Sequence, residues 1–385
     1  MIFFGEIKKT NEQFKLDKSL RSSRHILADI LGKRLVALFG PQHGFSAVEQ
    51  DNMIESSDYL DPHHKIPVIS LYGNHRYPTE EMLSDIDIVL FDLQDIGCRI
   101  YTYITTLFYF CEACPKSGSE LWVLDRPNPA GRPIDGLFLE AGEESFVGCA
   151  SLPTRHGMTV GELATYFKLL IKNELDLQII KMVDYQPNDP PGFGWPLLAR
   201  PWINPSPNAA SLNMARCFAG TVLLEGTTLS EGRGTTTPLE VIGAPDWPIH
   251  DLINELEREA PYVFAGAIFR PIFFSPTFHK HAGRLCSGIQ MHTDYPEYHH
   301  SLFKPFRLIA SLLKATRQLL PNYELWRFHE YEYELDRTPI DVINGGPWLR
   351  TWVDDIDGGY DNLDRELIKT ASAWEAQRAP YLMYP

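Results

Sequence analysis

Residues 86–104 read IDIVLFDLQDIGCRIYTYI. An apolar, β-branched run from Ile86 to Phe91 stops abruptly at Asp92, passes through a polar turn containing Gly97 and leads into a helix-like stretch near 101–116. Short apolar strands that alternate with helices are what a parallel sheet buried on both faces requires. The same design recurs where RLVALF (34–39) runs into GPQHG, IPVISLY (66–72) into GNHRYPTEEML, and ELWVL (120–124) into DRPNPAGRP. LQIIKMV (177–183) and TVLLE (221–225) predict two more strands. Thr79 before Glu80 and Glu81, and Thr159 with Glu162 three residues on, predict helix starts, the second with capping-box spacing.

In an open parallel sheet, ligands bind beyond the carboxyl ends of the strands. The unusual polar clusters follow those ends, so His43, Asp92, Gln94, Asp95, Asp125, Arg126, Asn128 and Glu225 are expected on one rim. From about residue 241 the texture changes. VFAGAIFRPIFFSPTF and SGIQMHTD predict strands without regular intervening helices, and a helix follows near 299–319. The reading is an α/β parallel-sheet domain over 1–240 and a smaller α+β domain over 241–385.

The chain has 385 residues, 44% hydrophobic and 22% charged, enough apolar mass for a sizeable core divided between two domains. Its 35 basic and 50 acidic side chains leave a formal charge of −15, which argues against a nucleic-acid partner. No apolar run suits a membrane span, and Glu6 follows a very short apolar patch in MIFFGEIKKTNEQFK, so no export signal is read and a cytoplasmic location is expected. Six cysteines are too sparse for a disulfide scaffold, and Cys111 and Cys114 read as helix packing. Adjacent His63 and His64 lack a ligand triad, so no metal is expected. NPSPN (204–208) contains no GxSxG elbow, leaving Ser206 and Asn208 as hydrogen-bonding groups on a stiff loop.

LLEGTTLSEGRGTTTP (223–238) gathers Glu225, Glu231 and Arg233 among glycines. In an extended strand the two glutamates would lie about 20 Å apart, whereas carboxyls that flank a glycosidic bond need about 5–5.5 Å for retention or about 6.5–9.5 Å for inversion. Either the chain turns at Gly226, or each glutamate works with a carboxylate such as Asp92 or Asp125. SEGRG is also a possible anion cradle, but its spacing matches neither nucleotide motif. DRPNPAGRP rigidly carries Asp125, Arg126 and Asn128, LPTRHGMT places Arg155 and His156 before a helix, and Tyr101 and Tyr103 suit stacking on a sugar.

Taken in order, LFGPQHGF, YPTEEMLSDIDIVLFDLQDIGCRIYTYI, VLDRPNPAGRPIDG, LPTRHGMTVGELA, NPSPN, LLEGTTLSEGRGTTTP and SPTFHKHAGRLCSGIQMHTD closely resemble the NamZ-type exo-β-N-acetylmuramidases. The resemblance implies a Rossmann-like domain, a smaller C-terminal domain, an active site in a cleft between them, and release of N-acetylmuramic acid from non-reducing ends of peptidoglycan-derived disaccharides or muropeptides. The expectation is a glycosidase without metal or nucleotide cofactor. Its candidate catalytic residues are Glu225, Glu231, Asp92 and His43. Its candidate substrate-binding residues are Asp125, Arg126, Asn128, Arg155, His156, Arg233, Ser206, Asn208, Tyr101 and Tyr103, with Arg126, Arg155 or Arg233 as the clamp for the lactyl carboxylate. Glu225 or Glu231, with its pKa raised by burial, is expected to be the acid. The first loop departs from the PEHG usual in the family, with Gln42 in place of glutamate, and the alternative is a catalytically impaired protein that still binds muramyl sugars. The start of the chain also lacks the early GLVTN-type strand and turn of that family.

Overall fold

The computed structural model describes residues 2–4, 20–50, 53–198 and 200–385. Expectations placed on residues 5–19 lie outside the described residues. The fold is mixed α/β with a largely parallel sheet, and the chain forms two compact units. The first comprises Met1–Gln94, Tyr103–Arg126 and Thr159–Asp184; the second comprises Asp95–Thr102, Pro127–Met158 and Tyr185–Pro385.

The first unit holds a seven-stranded sheet in the order β3-β4-β2-β1-β5-β6-β9: β1 (Ile2–Phe4), β2 (Leu35–Gly40), β3 (Tyr59–Leu60), β4 (Pro67–Ser70), β5 (Ile88–Phe91), β6 (Glu120–Leu124) and β9 (Leu177–Ile180). β2 pairs parallel with β4, β5 with β6, and β6 with β9. The sheet is not wholly parallel. β1 fills the slot between β2 and β5 antiparallel to both, and β3 is antiparallel to β4. All four residues of β5 are buried, as a strand covered on both faces demands. Ile88 and Leu90 pack with Leu27 and Leu31 of α1 (Ser23–Leu31), while Phe39 of β2 meets Phe110 of α3 (Tyr103–Ser117) edge-on at 5.8 Å. Cys111 and Cys114 are buried within α3, and burial pushes the Cys114 thiol up. Thr79 caps the short α2 (Glu80–Leu83) by accepting from Met82 N. The capping box of α4 (Val160–Ile171) is complete: Thr159 Oγ1 accepts from Glu162 N at 3.3 Å, and Glu162 Oε2 accepts from Thr159 N at 2.9 Å.

The chain leaves this unit just after the carboxyl ends of β5, β6 and β9, and twice returns at a helix start, at Tyr103 and at Thr159. Thus the early parts of the second unit are enlarged strand-to-helix connections. They carry β7 (Asp135–Phe138) and β8 (Pro153–Arg155), which pair antiparallel. The rest of the second unit contains a three-stranded antiparallel sheet, β10-β12-β11, from β10 (Val241–Ala244), β11 (Ile268–Phe274) and β12 (Cys286–His292). Its helices are α5 (Leu212–Thr221), α6 (Ile249–Glu259), α7 (Pro305–Leu319), α8 (Pro339–Asn344), α9 (Trp348–Asp354) and α10 (Tyr360–Arg378).

Two expectations change here. TVLLE is no strand: Thr221 ends α5, and Val222–Gly226 form a 3₁₀ turn whose residues are all buried. An apolar run covered on every side has no periodicity to separate strand from helix. Close packing fixes the outcome, since a Cβ on Gly220 would lie 2.1 Å from the Pro305 carbonyl at the start of α7. With residue 225 in the helical layer, no division falls after residue 240: residues 185–385 belong to one unit, and it is the larger of the two.

Candidate active site

Glu225 and Glu231 are brought to one guanidinium. Glu225 lies next to the end of the buried 3₁₀ turn, and the chain reverses so that Arg233 Nη2 meets Glu225 Oε1 at 2.5 Å and Arg233 Nε lies 3.2 Å from Glu231 Oε1. The return needs glycine at 232 and 234, with φ of +78° and +84°. A Cβ on Gly234 would also strike the Phe278 backbone at 2.6 Å. Tyr331 donates its hydroxyl to Glu225 Oε2 at 2.7 Å. Lys280 Nζ donates to Glu231 Oε2 at 2.8 Å and to the Leu224 and Leu229 carbonyls at 2.6 and 2.9 Å. His279 Nδ1 is 3.4 Å from Glu231 Oε1.

This setting reverses the expected charge state. Burial alone raises a carboxyl pKa, but Lys280, Arg233 and His279 outweigh it and hold Glu231 at about 2. Burial also pushes Glu225 up and Glu231 adds to that push, yet Arg233 and Tyr331 leave it below the ordinary glutamate range. Both are carboxylates at neutral pH. They suit stabilising or attacking a cationic carbon and are poor proton donors.

Other expected site residues separate by what their polar atoms touch. Asp92 pairs with Arg126, whose Nε lies 2.7 Å from Oδ1, and burial notwithstanding this cation lowers the Asp92 pKa. Asp125 accepts from Thr159 Oγ1 and Gly161 N, both at 2.8 Å, and so fastens the start of α4. Asn128 braces its own loop through Ala130 N and the Gly131 and Met158 carbonyls. Arg155 is fully buried and donates to the Ala130 and Phe303 carbonyls at 3.0 Å each. His43 Nδ1 is 2.8 Å from the Glu49 carbonyl. Ser206 and Asn208 are buried; Tyr101 packs edge-on to Phe218 at 5.9 Å, and Tyr103 is buried at the start of α3. Gln42 is buried and donates to the Tyr72 hydroxyl at 3.0 Å. His64 Nε2 lies 2.7 Å from His25 Nδ1, and among the described residues no group of His, Cys, Asp and Glu is disposed to hold a metal.

His156 and Asp95 form a second buried pair. His156 Nδ1 accepts from Met158 N at 3.2 Å, so the neutral ring carries its proton on Nε2, 3.8 Å from Asp95 Oδ2. Burial raises Asp95 to about 7, against the pull of the Gly97 and Ile96 amides, and burial with Arg378 nearby lowers His156 to about 3.

Comparison with known proteins gives the chain's family. Two family profiles, described as the N-terminal and C-terminal parts of exo-beta-N-acetylmuramidase NamZ, match residues 10–213 and 216–384. The chain is 36% identical over 374 residues to the peptidoglycan beta-N-acetylmuramidase NamZ of Bacillus subtilis, covering 96% of this chain and 84% of that protein. The chain belongs to the NamZ exo-β-N-acetylmuramidase family. Among solved structures, a DUF1343 family protein of Bacteroides fragilis is 28% identical with a TM-score of 0.80, covering 96% of this chain and 91% of its own. A second DUF1343 family protein of the same organism, 24% identical with a TM-score of 0.68, shares the fold, covering 93% of this chain and 88% of its own.

Within this NamZ family chain, sequence reasoning missed Lys280, His279 and Tyr331, which lie 48 to 106 residues from the glutamates they touch. The run SPTFHKH did offer a signal, namely three basic side chains in a stretch already matched to the family. Asp95 was placed on the rim but not among the chemical candidates, although the apolar Ile96-Gly97-Cys98 beside it foreshadowed its burial.

Proposed function

We propose that this chain is an exo-acting β-N-acetylmuramidase that releases N-acetylmuramic acid from the non-reducing ends of peptidoglycan-derived disaccharides or muropeptides. The observation that carries the reading is the pairing of Glu225 and Glu231 on Arg233 in a chain of the NamZ family. Glu231, kept ionised by Lys280 and Arg233, faces the positive charge that develops on the anomeric carbon. The departing oxygen needs a proton from a group that retains one near neutrality. We take Asp95, which accepts from Gly97 N at 2.6 Å, lies 3.8 Å from His156 Nε2 and is raised by burial to about 7, as the candidate for that proton.

The assignment is tested with two leaving groups. 4-Nitrophenol departs with little acid assistance, whereas a sugar hydroxyl needs a full proton. Asp95→Asn is expected to lose about 10²-fold or more in kcat on a muramyl disaccharide and far less on 4-nitrophenyl β-N-acetylmuraminide. If Glu225→Gln shows that leaving-group dependence and Asp95→Asn does not, the acid is Glu225.

The lactyl carboxylate falls to Arg126 or Arg233, whose side chains are 18% and 10% exposed, and no longer to Arg155, which is committed to carbonyls. Selectivity for muraminide over glucosaminide that survives both Arg→Gln changes would remove the clamp. The parallel pairings of β2 with β4 and of β5, β6 and β9 support reading the first unit as Rossmann-like.

Gln42 favours a second reading. Its amide stands in the loop where the family is expected to carry glutamate, and an amide cannot exchange a proton as an acid does. A muramyl-sugar-binding protein predicts binding without turnover, with turnover appearing in Gln42→Glu.

A further inference from the structure

The segment carrying Glu225, Glu231 and Arg233 is fastened by two loops. One spans residues 275–285: Thr277 N donates to the Gly234 carbonyl at 2.9 Å, His281 Nε2 lies 2.8 Å from the Thr228 carbonyl, and Lys280 holds Glu231. The other spans residues 324–331: Arg327 N donates to the Gly226 carbonyl at 3.0 Å, Thr228 N donates to the Leu325 carbonyl at 2.9 Å, and Tyr331 holds Glu225.

Each loop places a large apolar ring in solvent beside the residue that touches a carboxylate. Phe278 precedes His279 and Lys280 and is 47% exposed; Phe328 stands three residues before Tyr331 and is 77% exposed. A phenylalanine left in water forgoes the burial that stabilises a fold. Scattered exposed apolar side chains are ordinary. These two differ because the loops that carry them are both tied to the segment that holds the carboxylate pair, through bonds made by their immediate neighbours Thr277 and Arg327. A pyranose presents flat C–H faces, and aromatic rings at the margin of a polar site are suited to cover them.

We propose that Phe278 and Phe328, carried on the two loops that fasten the carboxylate segment, are specificity-determining residues that cover the apolar face of the substrate's pyranose rings. The proposal rests on the muramidase reading and adds to it how the apolar faces of the sugar are held.

The test uses the full chain, with Phe278→Ala, Phe328→Ala, Phe278→Leu, Phe328→Leu and the corresponding Trp variants. Kinetics are measured on 4-nitrophenyl β-N-acetylmuraminide and a muramyl disaccharide, and binding of N-acetylmuramic acid by calorimetry. Each Ala and Leu variant is expected to raise KM and Kd about three- to tenfold, with kcat falling less than twofold and Trp restoring the wild-type value. Leu keeps apolar bulk without a flat face, so loss with Leu and recovery with Trp separate stacking from general packing. Wild-type KM and Kd in the Ala variants would overturn the platform and leave the hydrolase reading standing. A folded wild type that neither cleaves nor binds muramyl sugars would remove that reading first, and the platform with it.

Discussion

Asp125 and Glu231 are both buried carboxylates in polar stretches of this sequence, yet the protein treats them differently. Asp125 spends its oxygens on a hydroxyl and an amide at the start of α4. Glu231 is met by three cationic or basic side chains, Arg233 from its own segment and His279 and Lys280 from one distant segment. A carboxylate held by backbone and by a helix cap is a fastening, because its partners cannot leave without unravelling the helix. One held by side chains keeps its charge through groups whose own torsions can turn without unravelling a helix.

That contrast is open to direct attack. The largest expected effect is on chemistry: Glu231→Gln lowers kcat on the chromogenic muraminide on the order of 10³-fold. It also lowers stability, since Lys280 and Arg233 are left buried with less counter-charge. Retained turnover in a folded variant would erase the distinction. Asp125→Ala should do the reverse, losing about 2–4 kcal/mol in urea unfolding while kcat/KM of the folded protein stays within a few-fold of wild type.

The Asp95–His156 pair sharpens the comparison through pH. The folded Asp95 has the higher proton affinity, so its stabilising contribution is complete below the ordinary value of 3.8 and is lost as pH rises through about 7. His156 is depressed, so its contribution is present above 6.5 and is lost as pH falls through about 3. Between pH 6.5 and 4 the two oppose each other. Asp95→Asn removes the part that grows on acidification, and its urea midpoint should fall more steeply than that of wild type over this window. Parallel curves would show that Asp95 does not titrate there.

The smallest expected effect is Gly161→Ala, about 1–3 kcal/mol of destabilisation, because a Cβ there would lie 2.8 Å from both Asp125 Cγ and Ile179 Cγ2. A neutral result in thermal or urea unfolding would mean that Asp125 is less tightly seated on α4 than its hydrogen bonds indicate.

Much of the first unit was legible. β2, β4, β5, β6 and β9 follow from apolar runs that end in polar residues, and α4 from its capping box, since these signals are local. TVLLE failed because full burial removes the pattern that tells a strand from a helix. The glutamate pair was legible as composition, but its charge state was not, because Lys280 and Tyr331 reach it from far along the chain. Asp125 and Asn128 were polar residues in a proline-stiffened loop, and part of that rigidity proved to be their own work.

The three departures of the chain from the first unit, at the carboxyl ends of β5, β6 and β9, bear on heredity as well as folding. Neither unit is a continuous stretch of sequence, so no single recombination event can trade one for a foreign counterpart. A gene cut at the junction of the two family profiles would leave the first unit whole and divide the second. A crossover between residues 184 and 225 can part the sheet from the carboxylate pair, but the sheet always carries with it the two pieces of the second unit, 95–102 and 127–158, that interrupt its sequence.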